Sequence, residues 1–288
     1  MKSVVVLNSK NIEEYKKCGT NHFLLPLVDF SVSYPVVYSV FDISKLKEEN
    51  PDSKFFVILN KMIFNHEIEK LKQILQELEN LSIEGIFFYD MAVLKLQKSL
   101  SLETPFIWNN THMVTNSKTL NYLMKQNVWA SVISGELEQS EIISLLKNTK
   151  MPLFYSLVSH PVVAYSKRKL LTHYSKASGR KKREFLTIHE KVSNQDYFVR
   201  EEKEGVSFFS SMIPNHYTIL KELDVSYVIL NESYIEHELF MKLLNITNQY
   251  LRREILFDEM ICYVETQIGM DAPFLNHKTI YQVKKEGK

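Results

Sequence analysis

The polar residues best equipped for chemistry stand directly after short apolar runs. Asn60 and Lys61 follow FFVIL, Asp90 follows IFFY, and Asn109, Asn110, Thr111 and His112 follow PFIW. Ser134 and Glu136 follow ASVI, Ser159 and His160 follow LFYSLV, and Asn231 and Glu232 follow YVIL. Asp90 and Glu136 are carboxylates able to move protons, and His112 and His160 carry imidazoles that change charge near neutral pH. The amides of Asn60 and Asn110 can hold a polar substrate by hydrogen bonds. If the apolar runs are strands of one barrel, their C-terminal ends meet at a single mouth. Asn60, Asp90, Asn110, His112, Glu136 and His160 are therefore the predicted pocket residues. Any one of them alone also reads as a helix cap or turn former. His112, His160, His173 and His189 each also read as ordinary surface or core histidines. They show no HExxH or other metal spacing, and no GxSxG, Walker or GxGxxG pattern is present. No metal site is expected.

A second kind of chemistry is written between Lys167 and Arg183. Lys167, Arg168, Lys169, Lys176, Arg180, Lys181, Lys182 and Arg183 stand there without a carboxylate. Tyr165, His173 and Tyr174 are interleaved. Cations neutralise phosphates, and aromatic rings stack on unpaired bases, which is how RNA is commonly read. Tyr165, Lys167, Arg168, Lys169 and Tyr174 are the predicted contacts to RNA or to a partner. A solvated basic loop with its tip at Ser178-Gly179 would have the same composition. The formal net charge of the chain is only +1, so any basic surface is local.

The elements that position these residues follow from hydrophobic periodicity. Strands are predicted at 4–7, 22–28, 55–59, 84–89, 105–108, 129–133, 152–158 and 227–230. Most are continuous apolar runs, as expected for strands covered on both faces. Helices are predicted at 11–18, 66–81, 91–100, 117–125, 138–147, 215–223 and 236–253. Repeated βα units imply a parallel sheet with right-handed crossovers. Their number favours a closed (β/α)8 TIM-barrel-like fold over an open doubly wound sheet. Three consecutive short strands break the alternation at 184–211 and read as a β-rich insertion. The expected organisation is a barrel over 1–253 and a C-terminal extension over 254–288. A length of 288 residues with 45% apolar and 24% charged residues suits one such α/β domain.

Cys18 and Cys262 are the two cysteines of the chain. They form no CxxC pair and no disulfide framework, and two thiols are too few for a four-thiolate cluster. The apolar run in MKSVVVLNSKN is too short for the core of a signal peptide, and no stretch approaches the ~20 apolar residues of a membrane span. The expected location is the cytoplasm, with no membrane association.

Taken in order, NKMIFNHEIEKL (60–71), EGIFFYDMAVLKL (84–96), WNNTHMVTN (108–116), ISGELEQSEI (133–142) and SHPVVAYSKRKLLTHY (159–174) resemble the peptidase U32 family, the collagenase-like proteins. The tail APFLNHKTIYQVKKE (272–286) is similar to the end of short bacterial members. The resemblance implies a TIM-barrel-like core. The family's historical name implies proteolysis, without defined catalytic residues. Other members act in hydroxylation of ubiquinone precursors or RNA without molecular oxygen. The short members are associated with 5-hydroxyuridine at the tRNA wobble position, beside a longer paralogue. The expected function is thus a part in tRNA wobble-uridine hydroxylation, direct or as partner of a longer cluster-bearing paralogue. The alternatives are a peptidase and a non-catalytic scaffold. Typical members carry a cysteine where Pro161 to Ala164 stand here, and cluster-binding members carry more. No cofactor is expected, and an iron–sulfur cluster least of all. The expected partners are tRNA and the longer paralogue.

Overall fold

The computed structural model describes residues 1–9, 12–110, 112–192 and 194–276. Among these residues, the strands in chain order are β1 (Lys2–Val6), β2 (His22–Pro26), β3 (Lys54–Leu59), β4 (Gly85–Phe88), β5 (Phe106–Trp108), β6 (Ala130–Val132), β7 (Leu153–Val158), β8 (Val162–Ser166), β9 (Phe185–Glu190), β10 (Gln195–Glu202), β11 (Gly205–Ser210) and β12 (Tyr227–Asn231). The helices are α1 (Glu13–Lys17), α2 (Val40–Glu49), α3 (Ile68–Asn80), α4 (Met91–Leu100), α5 (Ser117–Lys125), α6 (Gln139–Lys147), α7 (Leu170–Ser178), α8 (His237–Leu251), α9 (Phe257–Ile268) and α10 (Pro273–Asn276).

Eight strands close a parallel barrel in the order β1-β12-β7-β6-β5-β4-β3-β2, with β2 returning to β1. The (β/α)8 architecture expected from the sequence is therefore present. Its continuous apolar strands have the predicted cause. Val4, Val6, Leu24, Phe56, Ile58, Phe87, Ile107, Val132, Phe154 and Ile229 fill the lumen. Their strand neighbours, such as Val5, Leu25, Val57, Ile86 and Phe88, point the other way and pack under the helices. The lumen is a packed core, not a pore. Phe154 lies 4.9 Å from Phe87 and 5.8 Å from Phe56 between ring centroids, and stacks on Tyr227 at 4.5 Å.

After β7 the chain leaves the barrel. It builds a second, antiparallel sheet in the order β8-β11-β10-β9 and returns through β12. This sheet begins at Val162 and is one strand larger than the stretch 184–211 read from the sequence. The extra strand, β8, lies just before the basic segment, where Val162, Val163 and Ala164 are too few and too exposed to show a period. One face of the sheet carries α7, with Leu171, Val199 and Val206 buried between them. The other face meets the barrel mouth. Ser207 and Ser33 share a 2.7 Å hydroxyl contact, and Phe209 packs on Tyr234 at 4.6 Å.

Gly205, the first residue of β11 after the β10–β11 turn, has φ +148°, and a Cβ there would fall 2.3 Å from the Ser166 carbonyl oxygen. Only glycine lets this turn lie so close to β8. At the other end of the chain, Met260, Val264, Ala272 and Leu275 are buried in the main core. Residues 277–288, which include most of the tail resemblance, lie outside the described residues, as does Asn11 of the predicted helix 11–18.

Candidate functional site

The predicted pocket residues fall into four settings. Asn60 and Asp90 brace loops at the mouth. The Asn60 amide accepts from the Val32 N–H at 2.9 Å and donates to the Val32 carbonyl at 3.0 Å. Asp90 caps α4 by accepting from the Ala92 N–H at 2.8 Å, and its other oxygen accepts from the Ile63 N–H at 2.9 Å. His112 and Glu136 meet each other in the open, Nδ1 to Oε1 3.1 Å, with both side chains about half exposed. Asn110 is buried at 6% exposure, and its Oδ1 has no hydrogen-bond partner among the described residues. Thr111, beside it, lies outside the described residues.

His160 sits under the antiparallel sheet. Its Nδ1 is 3.0 Å from the Ser210 carbonyl, and its ring meets Phe198 edge-on at 5.1 Å. Burial holds its pKa below that of an ordinary histidine, against the opposing pull of backbone hydrogen bonds. His160 is thus a neutral, packed ring.

Glu232, which follows β12, makes a different network. It is buried and accepts from the Tyr15 hydroxyl and from His237 Nδ1 at 2.6 Å, while His237 Nε2 lies 3.0 Å from Glu14. The hydrogen bond to Glu232 raises the His237 pKa, so the imidazolium is favoured and ties α1, β12 and α8 together.

The predicted RNA contacts also divide. Tyr165 donates its hydroxyl to the Glu204 carbonyl. Lys169 donates its ammonium to the carbonyls of Glu202 and Lys203, the latter at 2.7 Å. Both therefore hold the turn between β10 and β11. Burial pushes the Tyr165 hydroxyl up to about 12, which keeps it a donor at neutral pH. Arg168 and Tyr174 are exposed, and Arg180 lies over the Tyr174 ring at 6.0 Å. Lys176, Lys181 and Arg183 are exposed beside them. Lys182 approaches Glu201 at 3.7 Å.

Lys167 leads to a place that sequence reasoning did not assemble. Its ammonium lies 3.2 Å from the centroid of the Phe64 ring, which in turn stacks with His66 at 6.1 Å. Phe64 is in contact with both Lys167 and His66, which line a cleft of about 370 Å³ between the barrel loops after β2 and β3 and the β10–β11 turn. Lys61 lies at its base, 3% exposed. Its ammonium donates to Glu67 at 2.5 Å and to the Asp29 carbonyl at 2.8 Å, and pairs with Glu204 at 3.0 Å. Burial works to raise the Glu67 pKa. The Lys61 hydrogen bond and the Phe64 N–H outweigh it and leave the carboxylate below its usual range. Near the rim, Lys203 and Lys70 each reach the Asp29 carboxylate at 2.7 Å. Those two hydrogen bonds hold Asp29 at about 2.

The sequence placed Lys61 and Lys167 among its candidates but gave no signal for their neighbours. Lys203 and Asp29 are 174 residues apart, and only the folding of the sheet over the mouth brings them together. The described residues contain no group of three or more His, Cys, Asp or Glu side chains able to hold a metal ion. None of their helices is long and apolar enough to cross a membrane.

Residues 41–224 match the model of peptidase family U32, more than half of the chain. No curated protein matches. Among solved structures, phosphoribosyl anthranilate isomerase from Thermotoga maritima is similar with TM-score 0.47 and 11% identity, over 87% of this chain and 99% of that one. A structure from Aquifex aeolicus VF5 is similar with TM-score 0.45 and 11% identity, over 93% and 92% of the two chains. The C-terminal domain of a chitinase-like protein from Desulfitobacterium hafniense DCB-2 is similar with TM-score 0.42 and 11% identity, over 87% and 99%.

Proposed function

The chain belongs to peptidase family U32, and on that premise we propose that it takes part in 5-hydroxylation of the tRNA wobble uridine, directly or as partner of a longer, cluster-bearing paralogue. The observation that carries this reading is the cationic, aromatic surface of the antiparallel sheet and its helix α7. Arg168, Tyr174, Lys176, Arg180, Lys181 and Arg183 are exposed there in one segment, on a protein whose net charge is +1. Such a surface suits a polyanion with unpaired bases, and in this reading the protein works in the cytoplasm beside its tRNA.

The iron–sulfur cluster of cluster-bearing relatives does not fit this chain. Cys18 is half-buried at the end of α1, and Cys262 is exposed on α9. Two thiols cannot supply the four thiolate ligands of such a cluster. Burial also pushes the Cys18 thiol up, away from the thiolate a metal would need. In this reading the chain provides an RNA-binding surface, and cluster chemistry belongs to its partner.

Binding of a fluorescein-labelled tRNA anticodon stem-loop, followed by anisotropy at several salt concentrations, tests the RNA part. Affinity should fall steeply with salt. Replacing Arg168, Lys176 and Arg180 together by alanine should flatten the log–log slope by about 2, near 0.7 for each lost phosphate contact. Binding that is insensitive to salt, or unchanged in the triple variant, would contradict the proposal.

A further inference from the structure

We propose that the cleft between barrel and sheet is an RNA subsite, in which Lys70, Lys203 and Lys167 hold one phosphodiester group and the neighbouring base stacks on Phe64 and His66. This deepens the RNA reading above and rests on it. The first ground is charge. Lys61 already serves Glu67 and Glu204, at 2.5 and 3.0 Å. With Lys61, Lys70, Lys167 and Lys203 set against Asp29, Glu67 and Glu204, the cleft carries one net positive charge. The second ground is geometry. Lys70 and Lys203 come from different elements, α3 and the β10–β11 turn, and converge on the same carboxylate at 2.7 Å each. The Asp29 oxygens mark where an anion sits between two cations, and stand in for phosphate oxygens.

The third ground is access. The Lys70 and Lys203 side chains are 55% and 78% exposed, and the cleft of about 370 Å³ opens between them. Because the lysine ends of these pairs are exposed, an incoming phosphate can reach both ammonium groups and compete with the carboxylate for them. The fourth ground is the aromatic pair. Phe64 is 39% exposed and stacked with His66, and the Lys167 ammonium over its ring leaves that face to a base when it turns to the phosphate. An exposed ring beside a cationic track is the arrangement on which unpaired bases stack. Asp29 acts as an internal competitor that keeps the subsite closed to weak anions and yields to RNA.

The test uses the same stem-loop RNA on the full chain. Asp29→Asn removes the competitor. It should tighten binding several-fold and steepen the salt slope by up to about 0.7, because one more phosphate is then neutralised and sheds its counterions. Lys70→Gln should weaken binding and flatten the slope by about 0.7. Phe64→Ala should weaken binding by about tenfold with the slope unchanged, since stacking releases no counterion. Lys70 and Phe64 are surface side chains, so their variants decide the matter even if Asp29→Asn folds poorly. If Lys70→Gln and Phe64→Ala bind like the wild type while the Arg168, Lys176, Arg180 triple variant does not, the subsite is wrong and the RNA reading stands. If the wild type binds no RNA, both are wrong.

Discussion

Lys61→Met is expected to lower stability by about 3 kcal/mol, because it strips the shared cation from two carboxylates in a mostly buried network. The Lys61 side chain is 4% exposed, and those of Glu67 and Glu204 are 17% exposed each. Methionine fills the space but cannot donate, so both acids and the Asp29 carbonyl lose their partner together. Breaking such a network is far more damaging than losing a surface ion pair, for which about 0–1 kcal/mol is usual. In a chain of this size the loss corresponds to a fall in melting temperature of about 6–12 °C. Adding Glu204→Gln to Lys61→Met should recover part of it, since one unpaired charge is then gone. An unchanged melting temperature in Lys61→Met would show that the sheet does not depend on this network for its seat on the barrel.

Phe154→Ala should cost more, about 4 kcal/mol, by opening a cavity in the lumen. The Phe154 ring is fully buried and touches the rings of Phe56, Phe87, Trp129 and Tyr227. Partners on several strands surround it, so collapse around the missing ring is limited. Urea unfolding of wild type and variant measures the difference. A loss below about 1 kcal/mol would mean that the lumen is not the close-packed core described here. The result also bears on function. A filled lumen leaves the mouth and the seam with the sheet as the places where a substrate can dock.

Most of the barrel was legible because its strands are covered on both faces, and continuous runs such as FFVIL and LFYSLV can hardly be anything else. Helix α2 was missed although Ser39 and Asp42 form a capping box at its start. Only Ile43 and Leu46 of that helix are buried, and Phe41 is 77% exposed, so no apolar stripe announces it. The helix predicted at 215–223 is instead a short 3-10 turn, His216–Ile219. Tertiary contacts override the helical period there. The Asn215 amide donates to the Gly269 carbonyl, and His216 Nδ1 meets the Ser156 carbonyl at 2.9 Å.

The site was less legible. The basic run was visible as a run, but its spacing could not show that Tyr165 and Lys169 turn back onto the β10–β11 turn while Arg168 and Tyr174 face solvent. The cleft around Asp29 joins loops from three parts of the chain. No local pattern encodes it, because its residues are placed by the sheet folding over the mouth rather than by neighbours in sequence.

Nucleoside mass spectrometry of tRNA decides whether the protein has a role in tRNA hydroxylation. The comparison is between cells with the gene, cells without it, and cells lacking both it and any longer U32 paralogue. The account predicts loss of 5-hydroxyuridine derivatives on deletion, in the double deletion at the latest, with recovery when the wild-type gene is returned. Unchanged 5-hydroxyuridine derivatives in the double deletion would contradict it.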